Sequence, residues 1–233
     1  MELKAPKLSG NQLKILALIC MTLDHIGLIL LPRATVLRVI GRLAFPIFAW
    51  MIAEGCRHTR NMEKYLATIA VVGVLYQVEH TLLLGSLKMN IMITFSLSVG
   101  LCWLLKLAIE KKSKVHLALS LLGLVVAWCL TDIMPILLEE TGYGIDYGFY
   151  GVLLPVLIYL ARDKKKQLLL AGIVLILLAL WSNWSVQWAS LLALPLLALY
   201  GGTRGKRKMK WLFYIYYPAH LTVLWILLFL LRK

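Results

Sequence analysis

The sequence predicts an all-α polytopic bundle in a membrane, with about nine transmembrane helices (eight to ten) and a cytoplasmic amino terminus. Three observations predict it. The chain is 61% hydrophobic and only 15% charged, too apolar for a soluble domain to cover with polar surface. Its apolar runs approach the roughly 20 residues that a helix needs to cross a hydrocarbon core of about 30 Å. Its Lys and Arg residues gather in short groups between those runs. Spans of this length use up the 233 residues, so residues 1–233 are expected to form a single transmembrane domain.

The first run, Leu13 to Leu31, follows Lys4, Lys7 and Lys14. It carries Asp24 and His25 and lacks a small-residue cleavage site, so it is expected to stay as the first span and not be removed as a signal peptide. The second, Leu43 to Cys56, is short unless Val36 to Arg42 extends it. Tyr65 to Leu84, Ile91 to Ile109, Val115 to Ile136, Tyr147 to Ala161 and Gln167 to Trp181 follow by apolar run length. Val186 to Tyr200 and Trp211 to Leu231 complete the set, and the segments flanking Asn183 and Trp184 read as a tight helical hairpin. There is no internal repeat, low-complexity stretch or linker.

Orientation follows from the loops. The amino terminus and residues 57–64, 110–114, 162–166 and 204–210 are basic and fall on one side, which is therefore the cytoplasm. The opposite loops hold Lys88 alone, the acidic residues Glu139, Glu140 and Asp146, and an uncharged turn at Asn183, with Arg33, Arg38 and Arg42 against the pattern. By this count the carboxyl terminus is outside. The net charge of +14 is the sum of these basic loops, such as Lys111, Lys112 and Lys114, which suit anionic lipid head groups and not nucleic acid. Cys20, Cys56, Cys102 and Cys129 lie inside apolar runs with no CxxC pair or metal-ligand spacing, and read as packing residues.

Ionisable side chains near a bilayer centre cost about 2.5–3.5 kcal/mol each on insertion scales, which makes every one a candidate functional site. Asp24 and His25 lie halfway along the first run. Lys14 precedes His25 by eleven residues, close to three helical turns, so the two share a face about 16 Å apart. A long ligand with an anionic head at Lys14 could bring its far end to His25. The competing reading of His25 is an interhelical hydrogen bond, and that of Lys14 is snorkelling to head groups. Asp24 points about 100° away from His25 on the helix, so its partner is expected on another span, Arg42 among the candidates.

Arg42, at the outer end of the second segment, could hold a carboxylate or stabilise an oxyanion. Pro46, Trp50, Glu54 and His58 follow at four-residue steps on one face, and Glu54 either pairs locally with Arg57 or His58 or joins them in binding a ligand. Glu79, Asp132 and Asp146 sit at outer span ends, an acidic mouth suited to a cationic acceptor such as an amine. Phe213 to His220 packs three tyrosines, Pro218 and His220 into the cytoplasmic half of the last span; an aromatic belt does not explain His220.

The blocks LKILALICMTLDHIG, LRVIGRLAFPIFAWMIAEGCRHTRNMEKYL, DYGFYG and FYIYYPAHL resemble the TraX family in order and spacing, from about Leu13 to Leu221, with 100–145 similar in hydropathy only. That family is named for a conjugation protein that acetylates the amino terminus of F pilin, and is grouped with membrane acyltransferases that use acyl-coenzyme A. The resemblance implies an inner-membrane enzyme of bacteria, a thioester donor entering from the cytoplasm, and an acceptor (peptide, pilin or glycan) approaching from outside. It implies His25 as general base, with Lys14 where relatives carry an Arg; Lys keeps the charge but not the bidentate contact. On this reading His25, Asp24 and Arg42 are catalytic. Lys14, Glu54, Arg57, His58, Tyr217 and His220 bind the acyl-coenzyme A, Glu79, Asp132 and Asp146 bind the acceptor, and no metal is needed. The alternative is a proton-coupled transporter, for which buried Asp, Glu and His would form the relay, although the paired broken helices of such proteins are missing from the sequence. A third reading is a membrane scaffold.

Overall fold

The computed structural model describes residues 7–206 and 209–232, leaving Lys4, Arg207 and Lys208 of the predicted basic groups outside the described residues. Local chemistry sets most helix starts. Helix α1 (Gly10–Ile29) opens on a capping box, in which Ser9 Oγ accepts from the Gln12 backbone and Gln12 Oε1 accepts from that of Ser9. Helices α2 (Thr35–Gly41) and α3 (Ala44–His58) form one apolar stretch across a turn at residues 42–43. Val36 to Arg42 thus does extend the second span.

Asn61 caps α4 (Met62–Leu84), which stops at Gly85 in the left-handed region, φ +64°. Strand β1 (Lys88–Met89) pairs in parallel with β2 (Gly144–Ile145). Asn90 caps α5 (Ile91–Glu110) while its amide donates to the Gly73 carbonyl and Gln77 Oε1. Ser113 caps α6 (Lys114–Trp128), which continues through a π-helical turn (Cys129–Ile133) into α7 (Met134–Leu137).

Helix α8 (Gly148–Leu160) begins abruptly because Tyr147 and Gly148 both take positive φ, +64° and +54°. Thr94 and Ser98 of α5, both fully buried, donate to the carbonyls of Asp146 and Val152 at 2.7 and 2.9 Å, so hydroxyls bind α8 to α5. Helix α9 (Lys164–Ser182) starts at Asp163, whose carboxylate accepts from the Lys166 backbone at 2.8 Å and is held below its ordinary carboxylate range by that bond. A 3₁₀ helix (Ser185–Leu192), α10 (Ala193–Ala198) and α11 (Lys210–Leu231) complete the chain.

Among the described residues seven helical stretches are long and apolar enough to cross a membrane. This differs from the expected nine. Gly148–Leu160 has 13 residues, about 20 Å of helix, and Ser185–Ala198 is mostly the tighter 3₁₀ form, so both fall short of the usual span. The exterior is apolar: Leu82 is 80% exposed and Ile136 71%, as expected of surfaces that meet lipid.

Contacts divide the chain into two compact units, one of Met1–Met51 with Ala171–Lys233, the other Ile52–Leu170, with α3 and α9 contributing residues to both. In the first unit, Lys14 lies 5.2 Å from the Phe213 ring, Thr22 bonds Tyr216, and His25 meets His220. Ascending positions on α1 meet ascending positions on α11, so these two helices run parallel.

Candidate functional site

Two clusters are built on the consecutive residues Asp24 and His25 of α1, and both lie within the first unit. On the side facing α2, Gly27 and Gly41 let the helices approach closely. A Cβ at Gly27 would stand 2.9 Å from Leu37 Cβ, and one at Gly41 would stand 2.3 Å from Asp24 Cβ and Oδ1. Asp24, 7% exposed, is therefore pressed against the α2 backbone. Its Oδ2 accepts from Arg38 at 2.7 Å and from Arg42, and Arg38 also donates to the Asp24 carbonyl at 3.1 Å. Trp184 lies beside both guanidinium groups, 4.9 Å from Arg38 and 5.0 Å from Arg42, and Arg42 donates to Gln187 Oε1 at 3.4 Å. Two arginines against one carboxylate leave this buried cluster with one net positive charge.

His25 faces α11 instead. Its Nδ1 lies 3.0 Å from His220 Nε2, with ring centroids 5.0 Å apart. His220 Nδ1 lies 2.8 Å from the Tyr216 carbonyl, one turn earlier on α11, and the Tyr216 ring stacks on the imidazole at 5.2 Å and 11°. The Tyr217 ring stands 6.0 Å from His220. Tyr216 Oη lies 2.7 Å from Thr22 Oγ1, and Thr22 spends its own proton on the Leu18 carbonyl at 2.8 Å. The phenol is therefore the donor to Thr22, which fixes the Tyr216 ring and with it the face on which His220 rests. His220 is buried at 8% exposure; His25 is only half-buried.

Lys14 also lies in the first unit, over the Phe213 ring, and the remaining predicted residues belong to the second. Glu54 pairs with Arg57 at 2.7 Å and approaches His58 at 3.5 Å. Arg57 donates to the carbonyls of Ile158, Tyr159 and Ala161, closing the carboxyl end of α8. Asp132 Oδ2 accepts from Thr131 at 2.6 Å and from the Phe149 backbone at 3.1 Å, capping the start of the same helix from the π-helical turn. Asp146 faces Lys88 at 3.4 Å. Glu79 is half-buried on α4.

A family model described as TraX protein matches residues 9–228. The chain belongs to the TraX family. It is 30% identical to a "Probable fimbrial assembly protein FimC, serogroup H1" of Dichelobacter nodosus, over 93% of this chain and 94% of that protein. It is also 30% identical to an uncharacterised protein of Rickettsia prowazekii, over 67% of this chain and 57% of the relative. No solved structure matches it.

In this TraX-family chain the first and last motif blocks meet as the His25–His220 pair, 195 positions apart in sequence. Arg38, Trp184, Gln187 and Thr22 complete the two clusters and are not singled out by sequence spacing. One signal does exist for Arg38: it precedes Arg42 by four residues, one helical turn, and both go against the charge pattern.

Proposed function

We propose that this TraX-family protein is an acyltransferase of the bacterial inner membrane. It takes an acyl group, acetyl in the simplest case, from cytoplasmic acyl-coenzyme A to an amine or hydroxyl of an acceptor on the outer side. The observation that carries the reading is His25, a partly buried imidazole backed by a second imidazole, with Asp24, its neighbour in sequence, committed to Arg38 and Arg42.

Acyl transfer needs a base for the acceptor's proton, positive charge for the oxyanion, and a path that brings two ligands together. His25 takes the proton as the acceptor nitrogen or oxygen bonds to the thioester carbonyl carbon. The C–S bond then breaks, and the departing thiolate receives a proton. The Asp24–Arg38–Arg42 cluster, one residue away on α1, supplies the net positive field. Lys14, on the His25 face and about 16 Å nearer the helix start, meets the phosphates of the donor. The Dichelobacter relative's name, fimbrial assembly, favours a pilin or another peptide amino terminus as acceptor.

Purified protein given radiolabelled acetyl-coenzyme A and membrane extract should move label to an amine- or hydroxyl-bearing component. Donor that stays intact with every extract contradicts the reading. The directly bonded His25 and His220 side chains also favour a second reading, proton-coupled transport, for which reconstituted vesicles should show substrate-dependent proton flux without donor.

A further inference from the structure

We infer that His220 is a positioning residue that fixes the proton on His25 Nδ1 and leaves His25 Nε2 bare as the atom that takes the acceptor's proton. The catalytic consequence rests on the acyl-transfer reading above; the proton placement does not.

A carbonyl oxygen only accepts, so the 2.8 Å contact of His220 Nδ1 with the Tyr216 carbonyl requires a proton on that nitrogen. In a neutral imidazole the other nitrogen is then a lone pair, so His220 Nε2 accepts. Its partner at 3.0 Å, His25 Nδ1, must be the donor. A neutral His25 with hydrogen on Nδ1 carries its lone pair on Nε2, the only ring nitrogen left to act as base. The opposite arrangement needs a proton on His220 Nε2 as well, a second charge in a region already holding the positive Asp24–Arg38–Arg42 cluster.

The surroundings hold this pattern in place. Tyr216 stacks flat on His220 and is itself anchored to α1 through Thr22, so the imidazole cannot turn without breaking the phenol contact. By surface exposure His220 is buried and His25 is partly exposed. When Nε2 takes the acceptor's proton, the new imidazolium still donates from Nδ1 to His220. The charge is thus formed on a ring whose hydrogen bond is already made.

The test reads the tautomer directly. Histidine-¹⁵N-labelled protein in detergent, with His25 assigned by loss of its signals in His25→Gln, should show His25 protonated at Nδ1 and bare at Nε2 by long-range ¹H–¹⁵N correlation. His220→Phe keeps a buried ring but removes the imidazole acceptor, leaving His25 its backbone bond to Met21; the Nδ1-protonated form should lose population to the Nε2-protonated one, with turnover falling tenfold or more and donor KM unchanged. His220→Gln places Oε1 near the lost Nε2 and should restore both the tautomer and most of the turnover, which a purely structural role for the ring would not explain. A wild-type His25 protonated at Nε2, or an unchanged tautomer in His220→Phe, overturns the inference. If His220→Phe does not fold, the wild-type and His220→Gln spectra decide. A wild-type protein with the expected tautomer that transfers no acyl group contradicts the proposed function alone, because the spectra are recorded without substrate.

Discussion

Asp24 and Arg42 form a buried ion pair across the closest approach of α1 and α2, with side chains 10% and 8% exposed. The pair directs Asp24 away from His25, and a hydrogen-bonded Asp–His dyad gives way to an Asp–Arg cluster beside a His–His pair.

Removing the carboxylate should therefore destabilise the fold. Asp24→Asn leaves two buried guanidinium groups without their counter-charge, a loss of about 3–5 kcal/mol for breaking such a pair. Thermal unfolding in detergent should show a clearly lowered midpoint, and an unchanged midpoint would mean that water already serves those groups.

Gly41→Ala should reproduce that defect without touching a charge. The added Cβ would fall 2.3 Å from Asp24 Oδ1, so either the pair or the α1–α2 contact must give way. Gly100→Ala, where the new Cβ meets no neighbouring side chain within 4 Å, is the control and should unfold at or slightly above the wild-type midpoint, alanine being the better helix former by up to about 1 kcal/mol.

Arg57→Lys should be nearly as damaging as Arg57→Ala. The guanidinium serves Glu54 and three carbonyls at the end of α8 together, and a lysine ammonium cannot reproduce that fork. Retention of full stability by the lysine variant would show that charge alone suffices.

Lys14→Glu should weaken acyl-coenzyme A binding by tenfold or more, read by isothermal calorimetry on folded protein, whereas Lys14→Arg should bind as well or better. Equal affinity in Lys14→Glu would reduce Lys14 to its contact with Phe213.

Much of the fold is legible because its determinants are local. Ser9 with Gln12, Asn61, Asn90 and Ser113 sit where helices begin, and Gly85 where one ends. The two short helices are legible too, as Tyr147 to Ala161 and Val186 to Tyr200, but they read as spans because Gly148–Leu160 is as apolar as the longer helices. Its ends are fixed by the positive φ at Tyr147 and Gly148 and by Asp132 and Arg57, which are tertiary facts. For the same reason the carboxylates expected to greet an acceptor include one, Asp132, that is spent on a backbone amide. Within the candidate site the individual residues His25, Asp24, Arg42 and His220 are visible, because charge in an apolar run has few excuses. Their pairing is not, because it depends on α1 running parallel to α11 and on two glycines drawing α2 against α1.

The most direct test of the account compares wild type with His25→Gln in acyl transfer under saturating donor. Glutamine keeps size and hydrogen bonding but cannot carry the proton, so the account predicts a folded variant that binds acyl-coenzyme A normally and turns over at least about 10²-fold more slowly. A monodisperse His25→Gln protein that transfers acyl groups at the wild-type rate would contradict it.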